Sequence, residues 1–180
     1  MIEAKEDFNN TWPFKANFFL GNGFKQHYVD EGKENKKVIL CLHGEPTWGY
    51  IYRHFIRELS KDFRVVVPDL MGFGKSETPK NKEYSLKTHV ENLENLVNYL
   101  KLENIYFVGQ DWGGPILGAC TLRNLKNTKG MFLINTILGY SRTEKPKELT
   151  PWFKWIKKNE DNGTLAVSYT HLTLPTKSLV

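Results

Sequence analysis

The sequence predicts an α/β fold, a mostly parallel sheet flanked by helices on both faces, and three observations carry that prediction. Short continuous runs of Val, Ile and Leu recur along the chain, the pattern of strands buried on both sides. Helix-period apolar stripes lie between them, and the two patterns alternate. Strands alternating with helices in this way build parallel sheets.

The elements follow in order. The segments around Phe18–Leu20 and Lys25–Asp30, bounded by Gly21, Gly23 and Gly32, fit an opening hairpin or edge strands. Lys37–Leu42 is a near-continuous apolar run and reads as a strand buried on both faces. Trp48–Ser60 reads as a helix with Tyr52, Phe55, Ile56 and Leu59 as its apolar positions. Phe63–Val67 is a second buried strand, stopped by Pro68. Ser85 is placed to cap a helix whose stripe is Leu86, Val90, Leu93, Val97 and Leu100. Ile105–Val108 is the third buried strand, Pro115–Leu125 a helix that tolerates Pro115 in its first turn, and Met131–Asn135 the fourth strand.

Composition narrows the function classes. The chain is 40% hydrophobic, 13% aromatic and 25% charged, too apolar for a disordered chain and long enough to bury a core. Its net charge of +5 comes from lysines interleaved with glutamates, a solvated surface rather than a nucleic-acid stripe. No apolar run approaches the ~18–20 residues of a membrane span. The first twenty residues carry Glu3, Glu6 and Asp7 and lack a basic-then-apolar leader pattern. The well-separated Cys41 and Cys120 suggest buried thiols in a reducing compartment, so the expected location is cytoplasmic. No Cys/His cluster has metal-ligand spacing, and neither a metal nor an organic cofactor is expected.

In parallel sheets ligands sit at the carboxyl ends of the strands, and three of those ends carry unusual sequences. The sharpest is Gly109-Gln110-Asp111-Trp112-Gly113-Gly114, between the strand Ile105–Val108 and the following helix. Small residues two positions either side of Asp111 mark a tight strand-to-helix turn, a nucleophile elbow. A side chain at 109 or 113 would collide with neighbouring backbone, and residue 111 is left projecting above the sheet near a helix N-terminus, where a carboxylate stays ionised. A carboxylate attacks esters poorly but is competent in displacement at sp³ carbon, giving an ester that water can cleave. The plainer alternative is an Asp that caps the helix or ligates a metal.

The second loop, His43-Gly44-Glu45-Pro46-Thr47-Trp48, is expected to point the backbone N–H of Glu45 at the nucleophile as half of an oxyanion hole, with the backbone N–H of Trp112 as the other half. His43 precedes the turn and reads as a residue that orients the loop rather than as a catalytic base. The third, Asp69-Leu70-Met71-Gly72-Phe73-Gly74-Lys75-Ser76, fails both nucleotide templates: a phosphate loop would need Gly where Asp69 stands, and a dinucleotide fingerprint would need Gly where Glu77 stands. It is expected to be a glycine-permitted turn packing beside the elbow.

In this order and spacing the three loops resemble the α/β-hydrolase fold and, within it, the haloalkane dehalogenases, over about Phe24 to Trp155. The resemblance implies that Asp111 displaces halide from an aliphatic carbon through an alkyl-enzyme ester, with Trp112 holding the leaving halide by its indole N–H. One branch of that family places a second halide donor, Asn, where this chain has Glu45. The branch with Glu instead uses a Trp in the cap, for which Trp155 is the candidate; an ordinary helix face formed by Trp152, Trp155 and Ile156 is the alternative. The family also needs a His and a carboxylate beyond the cap to activate water. Two other readings stay open: an epoxide hydrolase with the same Asp nucleophile, and a non-catalytic binding protein on the same scaffold. The implied partners are a small halogenated or epoxide-like substrate and water, with no nucleic acid and no membrane; no oligomeric state can be read.

The C-terminal stretch differs in kind. Val167–Thr176 reads back in codons as GTC TCT TAT ACA CAT CTG ACG CTG CCG ACG, which resembles a transposase adapter used in sequencing libraries. The expected organisation is therefore 1–136 as the first half of the hydrolase core, 137–166 as the start of the cap, and 167–180 as a non-native tail. His171 is not taken as a catalytic base. With the last strands missing, Met131–Asn135 is expected to be an exposed apolar edge, and the 180-residue chain to be insoluble or molten and inactive in turnover.

Overall fold

In a computed structural model, residues 2–136 are described, and they contain six strands and three α-helices. The strands are β1 Asn17–Phe19, β2 Gln26–Glu31, β3 Val38–Leu42, β4 Arg64–Pro68, β5 Ile105–Gln110 and β6 Thr128–Ile134. The helices are α1 Arg53–Leu59, α2 Leu86–Tyr99 and α3 Gly113–Arg123. They form one sheet in the order β1-β2-β4-β3-β5-β6. Strands β3 to β6 are parallel, and the β1–β2 hairpin joins the edge antiparallel to β4. The expected α/β architecture and its opening hairpin are therefore present.

Strand parity divides the core into two layers. Val38, Leu40, Leu42, Ile105 and Phe107 face α2 and α3, where Val90, Leu93, Val97, Ile116, Leu117 and Cys120 meet them. The intervening Ile39, Cys41, Val65, Val67 and Val108 face the other way, against Trp12, Tyr52 and Ile56. Both faces of β3 are closed, which is why all five of its residues are apolar and buried. Leucine- or isoleucine-sized burial of this kind contributes roughly 1.5–3 kcal/mol per side chain.

Several boundaries differ from the sequence expectation. The segment 48–60 is not one helix: it opens as a 3₁₀ turn, Gly49–Tyr52, before α1 begins. Its buried residues are Gly49, Tyr52 and Ile56, whereas Phe55 is 37% exposed. Helix α3 starts two residues before Pro115 and ends at Arg123, leaving Leu122 and Leu125 exposed. In α2, Ser85 caps as expected, its Oγ accepting from Thr88 N at 3.3 Å. The buried stripe there is Val90, Leu93, Leu96 and Val97, with Leu86 exposed at its start.

Strand β6 ends the sheet among the described residues and has no fully buried residue. Beside it, on the α1 face, an apolar groove of about 520 Å³ is lined by Ile39, Phe63, Tyr106 and Phe132. Phe132 is 62% exposed. No helix among the described residues is long and apolar enough to cross a membrane. The segments 137–166 and 167–180 lie outside the described residues.

Candidate active site

Strand order reverses at β3: the chain crosses from β3 to β4 on one side and from β4 back to β5 on the other. A crevice opens at the carboxyl ends of strands where that happens. Here those ends deliver His43–Trp48 from β3, the turn after β4, and Asp111 from β5.

Asp111 has a φ of +52°, the left-handed region that non-glycine residues rarely occupy, at a typical cost of ~1–3 kcal/mol. The strain is held in place from several sides. The Asp111 carbonyl accepts from Gly114 N at 3.0 Å and from Thr136 Oγ1 at 2.6 Å, and its own N–H donates to Ile134 O at 3.3 Å. A Cβ on Gly113 would strike the backbone carbonyl of Leu42, and one on Gly109 would lie 2.9 Å from Leu117 and 3.2 Å from the Gly113 backbone. The two glycines are thus required for α3 to start against the end of β3, the tight turn expected from the sequence.

The carboxylate is aimed. Asp111 Oδ1 accepts from Glu45 N at 2.9 Å and from Trp112 N at 2.7 Å. These are the two backbone donors that the sequence assigned to an oxyanion hole, and both converge on one oxygen of the carboxylate. Oδ2 has no hydrogen bond among the described residues. Gly44 makes the approach possible, since a Cβ there would sit 2.5 Å from both Asp111 Cβ and Trp112 N.

His43 is fully buried, and both of its ring nitrogens are engaged. Nδ1 pairs with Gly44 O at 2.9 Å, and Nε2 accepts from Leu70 N at 2.9 Å. Burial pushes its pKa below the ordinary histidine value, the nearby Asp69 and Asp111 opposing. A neutral histidine tied to two backbone segments orients a loop and offers no free nitrogen, as the sequence reading held.

The Gly72–Ser76 turn is organised by Asp69, which is fully buried. Its carboxylate accepts from Gly49 N at 2.9 Å, from Lys75 N at 2.8 Å, and pairs with His27 Nδ1 at 2.9 Å. Lys75 carries no phosphate-loop role here: its buried Nζ donates to Ala4 O at 2.9 Å and Glu6 O at 2.6 Å, strapping the N-terminal segment to the turn. Phe73, from the same turn, reaches the site.

Above Asp111's neighbours lies a cavity of about 360 Å³ whose lining includes Glu45, Leu70, Phe73, His89, Trp112 and Ile116. The Trp112 side chain is 43% exposed, with its indole N–H free of any hydrogen bond among the described residues. Trp155, the other expected halide donor, lies outside the described residues. Three contributors escaped the sequence reading. Thr136 anchors the elbow, and the usable signal was a hydroxyl residue just past a strand adjoining β5. Asp69, a carboxylate directly after a buried strand, was read only as a template mismatch. His89 sat unnoticed beside a helical stripe.

Comparison with known proteins follows the same line. Residues 37–167 match the sequence pattern of the alpha/beta hydrolase fold family. Haloalkane dehalogenase 2 of Mycobacterium tuberculosis is 39% identical over 125 residues, which are 69% of this chain and 43% of that protein. A cis-3-alkyl-4-alkyloxetan-2-one decarboxylase of Shewanella oneidensis is 35% identical over 158 residues, 86% of this chain and 48% of that one. The solved haloalkane dehalogenase DpaA of Paraglaciecola agarilytica superposes with a TM-score of 0.75 at 34% identity, covering 83% of this chain and 51% of that structure. The chain spans about half the length of the relatives it matches.

Proposed function

The chain belongs to the alpha/beta hydrolase fold family, and from that premise we propose that it carries the nucleophile half of a haloalkane dehalogenase-type hydrolase. The observation that supports this most strongly is the state of the Asp111 carboxylate, one oxygen held by two backbone donors and the other without a hydrogen bond among the described residues.

The chemistry follows from that asymmetry. Oδ2 of Asp111 attacks a halogen-bearing sp³ carbon, a carbon–oxygen bond forms, and the carbon–halogen bond breaks with its electron pair leaving on halide. The product is an alkyl ester of Asp111. Trp112 offers a neutral indole N–H to the departing halide, which stabilises developing charge without holding the product strongly. When water then attacks Cγ of the ester, negative charge develops on Oδ1, the atom already facing the N–H groups of Glu45 and Trp112. The hole serves the second step without rearrangement.

Activation of that water needs a base. His43 has no free nitrogen for it, and the His and carboxylate that the resemblance implies are expected beyond the cap. The described residues therefore account for ester formation, and turnover belongs to a protein that also supplies those two groups. No step requires a metal or cofactor.

A second reading is supported by the Shewanella relative, whose name places its substrate among four-membered oxygen rings. Displacement at a strained C–O bond uses the same Asp nucleophile; an epoxide then needs an acid for the opening alkoxide oxygen, whereas an oxetanone opened at its sp³ carbon releases a carboxylate, and neither needs a halide donor. Offering the chain a bromoalkane and an epoxide of equal length separates the two. Stoichiometric bromide release with little reaction at the epoxide supports the dehalogenase reading, and the reverse preference overturns it. Binding of both with reaction at neither favours the non-catalytic alternative.

A further inference from the structure

The cavity that holds Trp112 and Glu45 is not uniformly apolar. It also takes Tyr84, Ser85 and His89 from the segment that begins α2. Tyr84 has committed its proton, donating to Pro79 O at 3.1 Å, and Ser85 Oγ is occupied in capping α2. What Tyr84 has left to offer is lone pairs.

His89 differs from these. Its Nδ1 is buried with no hydrogen-bond partner among the described residues. A buried N–H left without an acceptor is costlier and rarer than a buried lone pair left without a donor. The tautomer that fits places the proton on Nε2, the one nitrogen able to meet a ligand. Burial, and His43 nearby, push the His89 pKa below its ordinary value, so the ring is neutral at neutral pH.

We infer that His89 is a specificity-determining residue whose Nε2–H donates to a hydroxyl oxygen on the substrate, so that the cavity favours halogenated alcohols over plain haloalkanes. A hydroxyl oxygen accepts from His89 Nε2–H, a contact that the hydrocarbon chain of a plain haloalkane cannot make. The inference rests on the reading of Asp111 as nucleophile for its choice of a halogenated substrate. The hydroxyl contact itself is a matter of binding alone.

The test is a titration of the chain, carrying ¹⁵N-labelled histidine, with a terminal bromohexanol and separately with bromohexane. The His89 signals are assigned by their loss in His89→Leu. The expected result is a shift of the His89 Nε2 resonance with bromohexanol and not with bromohexane, while His43, both nitrogens already bound, stays still. Affinity for bromohexanol over bromohexane should fall by about tenfold in His89→Leu, the size of one neutral hydrogen bond. An unmoved His89 resonance, or a preference unchanged by the substitution, overturns the inference. Mass analysis of the same samples keeps the two readings apart. An Asp111 adduct with a silent His89 removes this inference and leaves the nucleophile. A responding His89 without an adduct removes the nucleophile and leaves a hydroxyl-binding cavity.

Discussion

Replacing Gly44 by alanine should disable the site while leaving most of the fold in place. The added methyl would lie 2.5 Å from Asp111 Cβ and 2.5 Å from Trp112 N, and closer still to Asp111 Oδ1, whereas ordinary contact begins at 3.4 Å. None of these neighbours is the free end of a flexible side chain, so relief requires the β3 loop and the elbow to separate by about 1 Å. That displacement carries Glu45 N away from Asp111 Oδ1, now 2.9 Å apart, and removes one of the two backbone donors on that oxygen. A misplacement of ~1 Å at reacting groups costs on the order of 10²-fold in rate, or about 2.7 kcal/mol of barrier. The assay is the rate of Asp111 ester formation with excess bromoalkane, followed by intact mass, alongside a denaturation curve. Gly130→Ala is the control, since a Cβ there meets Tyr106 at an ordinary 3.4 Å. If Gly44→Ala folds and alkylates within about twofold of the parent chain, the two backbone donors are not what aims the carboxylate.

Three further outcomes follow from the packing. Asp69→Ala strands the donors of Gly49, Lys75 and His27 in a fully buried position; urea denaturation should show a loss of about 3–5 kcal/mol, and a loss under 1 kcal/mol would contradict the network. Lys75→Met removes two charge-assisted bonds to Ala4 and Glu6, each worth roughly 1.5–3 kcal/mol. Amide exchange at Trp12 should then accelerate more than at the β3 amides, and equal protection would place the strap's anchor elsewhere. His43 and His89 both have pKa values lowered by burial, so the unfolded chain takes up protons that the folded one refuses as pH drops below ~6.5. Stability is therefore fully present above that range and lost on acidification; a melting temperature that rises between pH 7.5 and pH 5.5 would reverse the sign.

Much of the fold was legible because burial on two faces leaves a plain trace. Strand β3 is apolar at every position since α2 and α3 close one side and Trp12, Tyr52 and Ile56 the other. The elbow was legible for a similar reason: only glycine fits at 113, against the Leu42 carbonyl, and glycine is visible in a sequence. Boundaries were less so. The 3₁₀ turn at Gly49–Tyr52 is fixed by Gly49 N donating to Asp69, a tertiary contact with no local signature. Thr136 and His89 were missed because their roles come from where the chain returns in space, beside the Asp111 carbonyl and into the cavity. Lys75 shows the converse, a motif-like lysine whose ammonium serves the N-terminal segment.

The central claim is that Asp111 becomes covalently alkylated, and peptide mapping after incubation with a bromoalkane tests it most directly. The account predicts one alkyl group on the peptide that contains Asp111, one bromide released per adduct, and neither in Asp111→Asn. An adduct on another residue, or bromide released by a folded Asp111→Asn chain, would contradict it.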